Sequence, residues 1–199
     1  MKRHLVILAR VPQRGRVKRR LAAGIGAGPA LRFYREILGL TVRRCAGDRR
    51  WLSELWLTPD PPRGLSSRRV DGRRLLVRGQ GRGDLGQRMA RPFRRLPPGP
   101  VVLIGSDIPD VSAELIHSAF VLLGRYDLVF GPAEDGGFWL VGARRLRAWP
   151  RGLFEQVRWS SPHTLADTLA RVPRRYSVGL VATLTDIDDV ASYRRWENR

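Results

Sequence analysis

With 199 residues and a hydrophobic share of 43%, the chain has the length and the apolar side chains to fill one large core. Its single cysteine, Cys45, excludes an internal disulfide and a cysteine-rich metal site, and the scattered His4, His117 and His163 lack the spacing of a histidine–zinc motif. The formal charge of +19 comes almost wholly from arginine, since Lys2 and Lys18 are the only lysines among 37 basic residues. Spread through nearly every segment, this charge predicts adventitious attraction to nucleic acid rather than a dedicated nucleic-acid module.

Residues 5–9 (LVILA) form a continuous apolar run, the pattern of a strand covered on both faces. The run is shorter than the roughly 7–15 residues of a signal core, and arginines follow it, so a buried strand and a cytoplasmic protein are expected. No stretch approaches the roughly 18 apolar residues of a membrane span. A loop at 10–16, a helical segment at 17–23 and a Gly-rich turn at 24–29 follow. Pro29 then suits the first turn of a helix with Leu31, Tyr34, Leu38 and Val42 on one face, where Cys45 serves as a small apolar residue. Strands are expected at 52–57, closed by a turn at Thr58-Pro59-Asp60-Pro61-Pro62, and at 74–77. The segment 81–96 (GRGDLGQRMARPFRRL) reads as a loop entering a short helix that Pro92 kinks or divides.

Residues 101–104 (VVLI) give the clearest central strand. Ser112 then caps a helix through Leu123, with Ala113, Ile116, Phe120 and Leu123 on one side. Strands at 128–130 and 138–141, a helix near 162–171, a strand near 178–182 and a helix near 190–196 complete the chain. Alternating strands and helices over the first 130 residues imply a single α/β domain over 1–199: three α/β/α layers around a mostly parallel sheet.

Ligands of such sheets bind where strands end at their carboxyl side. After the first strand, Arg10, Arg14, Arg16, Lys18, Arg19 and Arg20 surround Gly15, a combination able to hold two phosphates, although neither GxxxxGK[ST] nor GxGxxG is present. After the central strand stands Asp107, placed to hold Mg²⁺ together with substrate phosphates, with Asp110 able to assist through water. After the next strand, Asp135 precedes Gly136 and Gly137. The carboxylate could take a hydroxyl proton and the glycines could let a ligand approach the backbone, while Asp-Gly equally signals a turn. In Asp186-Ile187-Asp188-Asp189, Asp188 is a possible second metal ligand, against helix capping by Asp188 or Asp189. Ser160-Ser161-Pro162 lacks a GxSxG elbow and reads as a helix start.

Taken in order, ARVPQRGRVKRRL, GDLGQRM, GSDIPD, GPAEDGGFWLVG, WSSPHTL and DIDDV resemble the first family of radical-SAM/selenodomain-associated transferases. That resemblance spans about residues 5–190 and implies a nucleotide-diphospho-sugar transferase fold of the glycosyltransferase-A type, with one antiparallel insertion in the sheet. It implies phosphate-loop roles for Gly15, Arg16, Lys18 and Arg20, with Arg19 replacing a threonine. Asp107 matches the family's first acidic block, and Asp135, Gly136 and Gly137 match its EDGG block. Asp186 and Asp188 match a third block whose TPE portion is replaced here by Asp189-Val190-Ala191. The expected activity is glycosyl transfer from a nucleotide-diphospho-sugar with Mg²⁺ or Mn²⁺, and a small-molecule acceptor. The alternative, by likeness to small guanylyltransferases, is nucleotidyl transfer onto a phosphorylated acid.

Overall fold

The computed structural model describes residues 1–61 and 66–198; Pro62, at the end of the expected turn, lies outside the described residues. The chain runs through β1 (His4–Arg10), α1 (Arg19–Ile25), α2 (Ala27–Cys45), β2 (Leu52–Thr58), β3 (Ser66–Val70), β4 (Arg73–Gly79) and α3 (Leu85–Arg95). It continues through β5 (Val101–Ile104), α4 (Ala113–Leu122), β6 (Leu128–Pro132), β7 (Phe138–Ala143), α5 (Thr164–Ala170), β8 (Val178–Leu180) and α6 (Val190–Glu197).

The eight strands form one sheet in the order β3-β4-β2-β1-β5-β7-β6-β8. β1 pairs in parallel with β2 and β5, β2 with β4, and β6 with β8, whereas β7 runs antiparallel to both β5 and β6. The expected mixed α/β fold is therefore present, and β7 is the antiparallel insertion. A second antiparallel strand, β3, was not anticipated. Its sequence, SSRRV, carries arginines instead of an alternating apolar face, because it pairs only with β4 at the sheet edge.

Alternation along each strand sends side chains to two faces. Leu5 and Ile7 of β1 pack with Val102 and Ile104 of β5 beneath Tyr34, Leu38 and Val42 of α2 and Phe120 of α4. On the other face, Val6, Trp56, Val101 and Leu103 pack against Met89, Ala90 and Phe93 of α3. Cys45 is buried within the first cluster, and burial pushes its thiol up to about 12, so the apolar role holds and a nucleophilic one does not.

Several boundaries differ from expectation. The Gly-rich turn shrinks to Gly26 between α1 and α2, and α1 starts at Arg19 rather than residue 17. Pro92 sits inside a continuous α3, whose start Asp84 caps by accepting from the Gln87 amide at 2.8 Å. Ser112 caps α4 as expected, accepting from Leu115 N at 3.3 Å. Among the described residues, no helix is long and apolar enough to cross a membrane.

Candidate functional site

Because β1, β2, β4, β5 and β6 run in one direction, their carboxyl ends share one rim, and the chain leaving each contributes to it. Arg10, Thr58, Gln80, Asp107 and the turn at Ala133–Gly137 all stand there. The acidic segment beyond β8 is drawn to the same rim by backbone bonds: Leu184 N donates to Pro132 O at 3.1 Å and Ile187 N to Asp107 O at 3.3 Å.

Two hollows open at this rim. The first, about 340 Å³, is bounded by Arg10, Lys18, Tyr34, Gln80, Arg88 and Asp107, among others. The second, about 520 Å³, is bounded by Asp135, Asp186, Phe138, Trp159 and Ser160, among others. Asp107 and Asp188 belong to both.

Lys18 holds this shared wall together. It adopts a left-handed backbone conformation, φ 47°, immediately before α1, and its side chain is only 2% exposed. Its Nζ lies 2.8 Å from Asp107 Oδ2 and 3.6 Å from Asp188 Oδ1, while Arg20 Nη1 reaches Asp188 Oδ2 at 3.3 Å. Burial works against the Lys18 charge, but Asp107, followed by Asp188 and Asp186, outweighs it and holds the ammonium above its ordinary range. Burial likewise opposes ionisation of Asp107. Lys18 and the amide and hydroxyl of Ser106, at 3.1 and 3.3 Å, reverse that and keep the carboxyl below the usual range. Asp186 makes no salt bridge among the described residues. Burial first, and then the charge of Asp135, push it up to about 6, with Asp107 and Asp188 adding to the effect and the nearby charge of Lys18 only partly opposing it.

The expected phosphate loop divides. Arg10 and Lys18 bound the first hollow and Arg20 the second, whereas Arg14, Gly15 and Arg16 are exposed and bound neither. At the third block, Asp135 Oδ1 accepts from Gly137 N at 2.8 Å, so the turn reading holds, and the same carboxylate also faces the second hollow. Gly136, at φ 83°, has another task. A Cβ there would stand 2.2 Å from Pro162 O, and Gly136 O accepts from Leu165 N at 2.9 Å, so this residue seats the loop before α5. Gly137 does bound the second hollow. Asp189 caps α6 through Ser192, leaving Asp188 to face Lys18 and Arg20. Asp110 lies instead at a third depression beside Arg195 and Trp196. Ser161 bonds within its own loop and does not cap α5, which begins at Thr164.

Sequence reasoning missed Tyr34, Gln80, Arg88 and Trp159 as site residues. Gln80 Nε2 donates to Ala9 O and Trp56 O, both at 2.9 Å, tying β4 to its neighbours beneath the first hollow. Arg88 turns from α3 toward the same space. The GDLGQRM block was the signal for Arg88; nothing local marks Tyr34, whose spacing is that of a core residue.

Among the described residues, no group of three acidic, histidine or cysteine side chains is arranged to hold a metal. Asp107 and Asp188 nevertheless offer hard carboxylate oxygens, 38% and 45% exposed, on either side of one buried cation. Such a pair fits an ion like Mg²⁺, which takes one or two protein carboxylates and completes its shell with water and substrate phosphate.

Comparison with known proteins gives a consistent setting. A family model described as "Uncharacterized protein conserved in bacteria (DUF2064)" matches residues 41–161. No curated protein matches the chain. Among solved structures, a candidate nucleotide-diphospho-sugar transferase from Desulfovibrio desulfuricans G20 is 26% identical, with a TM-score of 0.87 over 98% of this chain and 87% of that one. The 4-diphosphocytidyl-2C-methyl-D-erythritol synthase of Anaerococcus prevotii shares the fold at 11% identity, with a TM-score of 0.60 over 100% and 99% of the two chains. A Mycobacterium tuberculosis H37Rv protein solved with manganese shares it at 19% identity, with a TM-score of 0.52 over 98% and 97%.

Proposed function

This chain belongs to the DUF2064 family of proteins conserved in bacteria, and from that premise we propose that it is a transferase moving a glycosyl group from a nucleotide-diphospho-sugar to a hydroxyl acceptor. The observation that carries the reading is the shared wall, where Lys18 stands 2.8 Å from Asp107 and 3.6 Å from Asp188 between two hollows. The similar Desulfovibrio protein and the ordered sequence blocks resembling radical-SAM/selenodomain-associated transferases support it.

In this reading the donor's nucleotide and diphosphate occupy the first hollow, where Arg10, Lys18 and Arg88 supply positive charge. Arg14, Gly15 and Arg16 stand on the exposed loop leading to it and meet the outer phosphate oxygens. The sugar lies across the wall, and the acceptor fills the second hollow. The bond from the sugar's anomeric carbon to the diphosphate oxygen breaks, and its electron pair leaves with the nucleoside diphosphate. A new bond forms from that carbon to the acceptor oxygen. Asp135 accepts the acceptor's hydroxyl proton and passes it to solvent. Gly137 N, already bonded to Asp135, orients the carboxylate. Mg²⁺ or Mn²⁺, held by Asp107 and Asp188 with phosphate oxygens, would supply further charge against the leaving diphosphate.

The test is the released product across a panel of nucleotide-sugars with Mn²⁺. Nucleoside diphosphate is expected, with at least a ~100-fold loss of rate in Asp107→Asn. Release of pyrophosphate from nucleoside triphosphates, with a phosphorylated acceptor consumed, would replace this reading with nucleotidyl transfer.

A further inference from the structure

The two adjoining hollows differ sharply in charge, and the difference runs against the composition of the chain. In a protein of net charge +19, the second hollow is bounded by Asp107, Asp135, Asp186 and Asp188, with Arg20 as its one cationic side chain among the described residues. Even Arg20 is engaged, at 3.3 Å from Asp188. The first hollow is bounded by Arg10, Lys18 and Arg88 against only the two shared carboxylates. We propose that the second hollow selects an uncharged polyhydroxyl acceptor, of the sugar or polyol class, and rejects phosphorylated ones. This rests on the transferase reading above and deepens it.

The charge argument is direct. A phosphorylated acceptor would bring its negative charge among carboxylates, two of which, Asp135 and Asp186, no cation pairs within salt-bridge distance among the described residues. An uncharged hydroxyl group instead finds acceptors for its protons. Asp135 uses Oδ1 for Gly137 N, and its Oδ2 has no hydrogen-bond partner among the described residues.

The same hollow also has an apolar part to its lining. Trp159 is partly exposed there and is braced by Phe138 at 6.4 Å and Phe154 at 6.0 Å between ring centroids. Leu85 and Met89 extend that wall. A ring or polyol carries both C–H groups and hydroxyls and so matches such a mixed lining, the indole meeting the C–H groups and the carboxylates the hydroxyls.

Ligand-observed NMR on the full chain tests the proposal by binding alone, so its outcome does not depend on which product is released. The probes are matched pairs, methyl glucoside with glucose 6-phosphate and glycerol with glycerol 3-phosphate. Each is measured with Mn²⁺ replaced by diamagnetic Mg²⁺ and with UDP or GDP filling the first hollow. The unphosphorylated member of each pair should bind at least ~10-fold more tightly than its phosphorylated partner. Trp159→Phe should weaken it several-fold, and Asp135→Asn with Asp186→Asn should narrow the preference. Thermal melts confirm that each variant is folded. Binding of the phosphorylated members that persists with nucleotide present and is lost in Trp159→Phe overturns the proposal, as does absence of binding by both unphosphorylated probes. Preference for unphosphorylated probes combined with pyrophosphate release would instead remove the glycosyl-transfer reading and leave this selectivity standing.

Discussion

Tyr34 illustrates how a core position becomes part of a site. Its spacing on α2 is that of an apolar stripe, and the ring is buried as that pattern requires. The hydroxyl, however, emerges between β1 and β5, where it accepts from Arg10 N at 2.8 Å and lies 3.0 Å from Arg10 O and 3.2 Å from Ser106 Oγ. One phenol thereby fixes the start of the arginine loop against the residue before Asp107. Tyr34→Phe should cost about 1–2 kcal/mol, because the Arg10 amide loses a buried partner. It should also raise the apparent KM for donor several-fold by loosening Arg10. Burial pushes the phenol up to about 12, with the Asp107 charge adding to the shift. The folded state thus retains this proton more strongly than the unfolded chain, whose tyrosine titrates near ~10. The associated stability is complete below pH ~10 and is lost as pH rises toward about 12. Urea midpoints of wild type and Tyr34→Phe at pH 9 and 11 check this: the gap between them should shrink at the higher pH. An unchanged gap would show that the hydroxyl does not carry the linkage.

At the scale of elements, the placement of Asp188 depends on a contact between the two ends of the chain. α6 packs on α1 through a small cluster in which Leu21, Phe33 and Ile187 are buried and Val190 and Tyr193 cover them. Gly24 permits this approach, since a Cβ there would stand 2.2 Å from Val190 Cγ2. Gly24→Ala should push the start of α6 outward and draw Asp188 away from Lys18. The expected result is roughly a tenfold loss of transfer rate with a lowered melting temperature. The second change Val190→Ala, which removes the opposing methyl groups, should restore much of the rate. If the double variant is no faster than Gly24→Ala alone, α6 does not position Asp188 through this contact.

This long-range pairing also marks the limit of what the sequence discloses. β1, β5 and α4 were legible because their apolar periods and the Ser112 cap are local signals. The placing of Lys18 and Asp107 at one rim was legible because each lies in the segment that follows a buried strand. The edge strand β3 was not, since one-sided pairing puts little demand on its side chains. The turn at 24–29 reduces to Gly26, while Leu21 of α1 and Ile187 before α6 share a cluster that no local window contains. Likewise, the loop that carries Trp159 is seated by the close approach of Pro162 to Gly136, a contact distant in sequence.

For the whole molecule, the decisive property is where its charge is not concentrated. Exposed arginine pairs occur at Arg49–Arg50 before β2, Arg68–Arg69 on β3, Arg94–Arg95 at the end of α3, Arg174–Arg175 before β8 and Arg194–Arg195 on α6. β3 and β8 are opposite edges of the sheet, so these pairs surround the fold instead of forming one stripe. A polyanion approaching from many sides meets positive charge, and the scatter of these pairs differs from the single aligned stripe of a sequence-reading surface. RNA should therefore bind without sequence preference and through phosphate alone. Fluorescence anisotropy with two unrelated single-stranded oligonucleotides should give similar affinities. Both should fall about a thousandfold or more between ~0.05 and ~0.2 M salt if six or more phosphates are neutralised. Because this attraction is shared among arginines on many sides of the fold, Asp107→Asn should change it little. Saturable binding to one oligonucleotide that survives ~0.3 M salt would require a dedicated surface, and the surplus of arginine would then be a recognition feature rather than a property of the whole exterior.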